Sequence, residues 1–242
     1  MFVIMKTNLE KLIVKYDDEQ LDEHVKQFHQ IIDDEFSDES RKKALHELYN
    51  TDPWAEQLRV APASSVGHFH NAFIGGYCLH VMNVIKYSKQ LYSFYKNNGG
   101  LVDFTMEELV FAAMHHDLGK LGDENGANYL INEDDWSMTK RKMFFVMNPD
   151  LQNMDPGTRG FYVLSQFGIK YTWKEMLGIR LADGLYEDCN REYLVQFNEE
   201  KQLKTNLPYI LHVADFMASR IECDDYKRQV YGESDILDKI VG

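Results

Sequence analysis

A chain of 242 residues that is 44% hydrophobic and 13% aromatic can bury one substantial core, and none of its apolar runs approaches the roughly 20 residues of a membrane span. Its 39 acidic residues against 26 basic ones give a formal net charge of −13, which opposes binding of a long DNA or RNA. Three widely spaced cysteines, Cys78, Cys189 and Cys223, form no CxxC pair, so a reduced, cytoplasmic setting is expected rather than a disulfide framework or a zinc ribbon.

Residues 1–5 are apolar but too short for a secretory signal. Over residues 8–50 the apolar spacing predicts polar amphipathic helices, with Leu9, Leu12, Ile13, Val25, Phe28, Ile31 and Ile32 on the buried faces. Arg41-Lys42-Lys43, like Lys140-Arg141-Lys142 further on, reads as a solvated helix face rather than a nucleic-acid stripe. A His-, Asn- and Gly-rich loop at 69–76 leads into a helix over 77–96, which Asn97-Asn98-Gly99-Gly100 ends in a left-handed cap. Thr105 with Glu107 and Glu108 opens a helix that runs to His116 or Asp117, and Gly119 and Gly122 break it. The stretch 123–156 is acidic and irregular, with Asn148-Pro149 and Asp155-Pro156 as turns. Helices follow over 158–167 and, capped by Thr172, to about Ala182. The last begins at Pro208 and carries Leu211, Ala214, Ala218 and Ile221 on one face. No clear strand emerges, and 192–197 is ambiguous. The expected fold is all-α, with residues 1–59 as an N-terminal helical extension packed on a domain at 60–242. The extension also offers a surface for a homo-oligomer.

Ala112-Ala-Met-His-His-Asp-Leu-Gly-Lys120 carries the strongest chemical signal. Neighbouring helical side chains diverge by about 100°, so His116 and Asp117 reach one ion only where the helix ends. His80 sits among Leu79, Val81 and Met82, and Asp215 lies within Leu211-His-Val-Ala-Asp-Phe-Met-Ala218. A buried carboxylate is rare unless it is paired or ligated to metal. Four such residues on three predicted helices are better explained by one metal than by four separate accidents. Imidazole beside carboxylate suits Mn, Fe, Co, Ni or Zn better than Ca.

The set His80, His116-Asp117, Asp215 resembles the H…HD…D signature of the HD-domain metal-dependent phosphohydrolases. Ser64-Ser-Val-Gly-His-Phe-His-Asn-Ala-Phe-Ile-Gly-Gly-Tyr-Cys-Leu-His80 is similar to the segment before the first ligand in the branch that includes the HD domain of a bacterial 3′→5′ exoribonuclease. The resemblance spans residues 60–225 and implies an HD-domain helical bundle and phosphohydrolase activity. Many relatives in that branch carry two further histidines for a second metal. Pro156 and Ala182 stand in those places here, so the resemblance implies a single divalent transition metal.

The substrate expected is small and phosphorylated, of nucleotide type. Lys120 would bind its phosphate and offset charge in the transition state. His68 and His70 can contact the substrate or brace their loop with Asn71. Candidates for the general acid or base are His115, Asp183, Asp123 and Glu124, by sequence proximity. His212, three residues before Asp215, can orient the site from behind. Arg159 and Arg180 read as exposed salt-bridge residues with an option to contact phosphate, and Trp136, Phe144 and Phe145 as core with an option to cover a nucleobase. Two alternatives stay open: a 3′→5′ exonuclease on short strands, and a non-catalytic, nucleotide-binding HD domain.

Overall fold

A computed structural model describes residues 11–232. The expected Leu9 and the 1–5 segment lie outside them.

The fold is all-α. Helices α1 (Asp18–Glu35), α2 (Glu39–Asn50) and α3 (Trp54–Val60) form a layer against α4 (Gly76–Asn97) and α5 (Met106–His115). Beyond a 3-10 turn, Leu118–Leu121, come β1 (Tyr129–Ile131) and β2 (Phe145–Met147). Helices α6 (Pro156–Gln166) and α7 (Trp173–Arg180), a short α8 (Arg191–Leu194) and the long α9 (Leu207–Tyr231) complete the described chain. Helix α9 lies along α4, α4 along α5, and α7 fills the angle between α5 and α9.

The helix starts follow from their capping chemistry. Asp17 with Gln20, Thr105 with Glu108 and Thr172 with Glu175 each make a reciprocal capping box, and Asp155 caps α6 ahead of Pro156. Helix α4 runs to Asn97, with Gly99 beyond it at φ +87°. Phe28 and Ile32 of α1 and Leu45, Leu48 and Tyr49 of α2 are buried in the same continuous core as Val81, Leu109, Phe111 and Leu211. Val25 and Ile31 pack against that core only partly buried. Each fully buried aliphatic or Phe side chain contributes about 1.5–3 kcal/mol, so the first helices are an integral part of this core.

Two expectations need correction. The middle stretch contains a small antiparallel pair, with Tyr129 opposite Met147 and Ile131 opposite Phe145. Its apolar alternation is too short for periodicity to reveal. The Arg41-Lys42-Lys43 cluster is not one solvated face: Arg41 turns inward, 2.7 Å from the buried Glu175 and 3.4 Å from Glu107, with its guanidinium 3.9 Å above the Phe111 ring. It ties α2 to α5 and α7. The ambiguous 192–197 stretch contains part of α8, and among the described residues no helix is long and apolar enough to cross a membrane.

Candidate metal centre

Helix α5 ends at His115, His116 keeps helical angles, and Asp117 leaves them at φ −111°, ψ 11°. That exit turns the Asp117 carboxylate towards the His116 imidazole, Oδ2 to Nε2 being 3.5 Å. His80 enters from the first turns of α4, its Nε2 3.6 Å from Asp117 Oδ2 and 3.2 Å from Asp215 Oδ1. Asp215 enters from α9, with Oδ1 3.6 Å from His116 Nε2. Three elements distant in sequence thus bring the four expected ligands to one point. His80, His116 and Asp117 are buried and Asp215 nearly so.

The far ring nitrogens are already engaged. His80 Nδ1–H donates to Glu222 Oε2 at 2.9 Å, and Asn83 Nδ2 donates to the other Glu222 oxygen at 2.8 Å. His116 Nδ1–H donates to the Ala113 carbonyl at 2.8 Å. Both imidazoles therefore present Nε2 inward, and both Nε2 atoms are shielded from solvent without a hydrogen-bond partner. Buried polar atoms are normally paired. Imidazole nitrogens left open opposite two carboxylates fit a divalent metal, and these side chains can hold one. Both groups of three potential ligands found among the described residues share His80.

The electrostatics are those of a dense charge cluster. Burial alone would lower the His80 pKa, but the Glu222 and Asp215 carboxylates outweigh it and push it up to about 10. Burial would raise Asp215, yet the His116 and His80 imidazoles close beside it hold it well below the usual carboxylate range. Asp117 is likewise lowered against the effect of burial, chiefly by Lys120, whose Nζ lies 2.6 Å from Asp117 Oδ2. Asp183 is the exception. Its pKa is raised, first by burial and then by the Asp117 charge.

Asp117 and Asp215 line a cavity of about 310 Å³. Lys120 and Asp183 line it, as do His68 and His70 from the loop before α4. That loop is braced through its backbone rather than its rings: Ser64 Oγ donates to the His70 carbonyl at 2.7 Å, and Cys223 Sγ lies 3.3 Å from the His68 carbonyl. His212 Nδ1–H donates to the Ala182 carbonyl at 2.9 Å, and Gly184 lies against the His212 ring, where a Cβ would come within 1.9 Å of Cε1. His212 therefore holds the 182–184 turn that carries Asp183 into the cavity. Ala182 takes part through its carbonyl, and Pro156 opens α6.

His115 does not reach the cavity. It is fully buried on the opposite side of α5, donates from Nδ1 to the Phe111 carbonyl at 2.7 Å and stacks on Tyr49. One residue along a helix turns a side chain by about 100°, enough to take His115 out of the cavity. Asp123 and Glu124 are also directed elsewhere, Asp123 towards Arg159 and Glu124 towards Tyr162. Arg159 is buried rather than exposed, its guanidinium held by Asn128 at 2.5 Å, the Gln152 carbonyl at 2.6 Å and the Gly119 carbonyl at 3.3 Å. Arg180 bonds Asn190 at 2.9 Å. Phe144 and Phe145 are core, and Trp136 is exposed away from the cavity.

The aromatic lining of the cavity comes from residues that the sequence did not single out: Phe69, Tyr186 and Phe216, all exposed. The Tyr186 and Phe216 rings lie 6.3 Å apart with 31° between their planes. Arg220 spans them, its guanidinium 5.1 Å over Phe216 and its Nη2 3.2 Å from the Tyr186 hydroxyl. Glu222 was missed as well. Its signal was available, since it stands seven residues after Asp215 and so shares a helix face with it. No protein-family model, curated protein or solved structure matches the chain.

Proposed function

We propose that the chain is an HD-type metal-dependent phosphohydrolase acting on a phosphoester or phosphoanhydride of a nucleotide-type substrate. The observation that carries this reading is the pair of buried Nε2 atoms, on His80 and His116, that have no hydrogen-bond partners and face Asp117 and Asp215, two carboxylates that line a cavity. His80, His116, Asp117 and Asp215 would hold one divalent transition metal of the Mn, Fe, Co, Ni or Zn group. Such an ion supplies Lewis acidity towards a phosphoryl oxygen and towards water.

The chain's own groups do the rest. Lys120, beside Asp117, offers a fixed positive charge to the phosphoryl oxygens. Asp183, whose carboxyl keeps its proton to higher pH than usual, gives that proton to the leaving oxygen as its bond to phosphorus breaks, and the carboxylate then takes one from the attacking water. Phe69, Tyr186 and Phe216 provide faces on which a nucleobase stacks, and Arg220 adds positive charge beside them. A cavity of about 310 Å³ lies at the lower end of the size range of small-molecule sites, which favours a nucleotide monomer over a polymer.

The test is phosphate release from a panel of nucleotides by chelated protein, before and after Mn or Co is returned. Activity should reappear with metal and be absent from Asp117→Ala. Turnover that survives Asp117→Ala would sink the mechanism.

A further inference from the structure

The loop before α4 contributes a histidine whose geometry differs from that of a substrate contact. A donor atom of His70 lies with those of His80 and Asp117 in a group all within 4.8 Å of one another. The His70 ring is centred 4.7 Å from the His80 ring at 39° to it. Although part of the ring faces the cavity, Nε2 is shielded from solvent and has no hydrogen-bond partner, as with His80 and His116.

The backbone on either side of His70 is pinned. Ser64 Oγ holds its carbonyl, Ala63 N–H donates to the Asn71 carbonyl at 3.1 Å, and Asn71 itself adopts a left-handed φ of +40°. Further along, Ile74 N–H donates to the Ile13 carbonyl at 2.9 Å. A ring carried on a loop fixed at this many points is aimed before any ligand arrives. His68, two residues earlier, lines the cavity but belongs to neither group of three potential ligands.

We propose that His70 is a fifth protein donor to the ion held by His80, His116, Asp117 and Asp215, supplied through Nε2. The ion is shared rather than second, because His80 belongs to both groups and, with Nδ1 occupied by Glu222, has a single inward nitrogen to offer. This rests on the metal centre proposed above. Five donors exceed the four of a tetrahedral site, so the site prefers six-coordinate Mn, Fe, Co or Ni to tetrahedral zinc and leaves one position for an exchangeable ligand.

The experiment titrates metal-free full-length protein with Co(II) by calorimetry and visible absorption, for wild type, His70→Ala, His70→Gln, His68→Ala and His116→Ala. The expected result is one Co(II) per chain in wild type, an affinity about tenfold or more weaker in both His70 variants, and a changed Co(II) absorption band. His68→Ala should match wild type in affinity and spectrum, and the metal-free melting temperature of His70→Gln should stay at the wild-type value. A wild-type affinity and spectrum in both His70 variants, with His116→Ala impaired, would overturn the role of His70 and leave the metal centre standing. Two Co(II) per wild-type chain would overturn the shared ion. No binding by wild type would overturn the centre itself, and the His70 assignment with it.

Discussion

Glu222 accepts the Nδ1 proton of His80 at 2.9 Å, across the contact between α9 and α4. This bond fixes the tautomer and ring plane of His80 so that Nε2 alone faces the centre. Asn83, one turn after His80, holds the other Glu222 oxygen and keeps the carboxylate from rotating.

Glu222→Gln should therefore weaken metal binding by about 10–100-fold while leaving the helical content unchanged. Calorimetric titration with Mn(II), alongside far-UV circular dichroism, measures both. An unchanged affinity would show that Glu222 has no part in setting the ligand.

Asp183 gives the pH prediction. Its carboxyl pKa is raised, so its proton is retained above the usual carboxylate range and lost as pH climbs through the raised value. If it acts as the proton donor, turnover falls over that rise. Asp183→Asn should flatten this limb of the pH–rate profile and lower turnover by about 10²–10⁴-fold, with metal content as in wild type.

Arg159 tests the loop behind Lys120. Its guanidinium holds the Gly119 carbonyl, and its Nε lies 3.4 Å from the buried Asp123 carboxylate. Arg159→Met should cost about 3 kcal/mol in urea denaturation, because it takes the positive partner from the buried Asp123 carboxylate, which keeps only its hydrogen bonds from Asn125. Adding Asp123→Asn should recover part of that loss.

Gly184 has φ +57° and touches the His212 ring. Gly184→Ala should destabilise the chain by about 1–3 kcal/mol and reduce turnover, because the turn carrying Asp183 must shift. A melting curve and a rate at saturating metal separate the two effects.

A pair remote from the centre sets an acid limit. His29 Nδ1 and His46 Nδ1 are 2.9 Å apart, an arrangement that needs one of the two nitrogens without a proton. Burial first, and the His46 charge second, lower the His29 pKa from its ordinary 6.5. The stability this geometry provides is present above 6.5 and lost as pH falls through the lowered value. Between about pH 7 and pH 5, His29→Gln should lose less melting temperature than wild type.

The sequence disclosed the candidate ligands because each is chemically out of place. His80 and Asp215 are polar groups in apolar helical settings, and His116-Asp117 coincides with a helix end that Gly119 and Gly122 announce. The helices themselves were legible from caps such as Thr105 and Thr172 and from period-3.6 burial. What stayed hidden depends on tertiary placement. His115 and His116 look equivalent in a string, and only the roll of α5 decides which one faces Asp117 and Asp215 and which one faces Tyr49. Arg159 looked exposed because arginine usually is; its burial rests on Asn128 and Gln152, neither of which marks itself. The aromatic rim comes from three separate segments, and no local pattern joins Phe69, Tyr186 and Phe216.

Helix α9 carries His212, Asp215, Ser219, Glu222 and Cys223 along one side, from the Asp183 turn to the loop of His68. An insertion or deletion of one residue between Asp215 and Glu222 would rotate everything beyond it by about 100° relative to Asp215. Asp215 and Glu222 could then no longer serve the same histidine. The length between Asp215 and Glu222 is therefore locked as firmly as their identity.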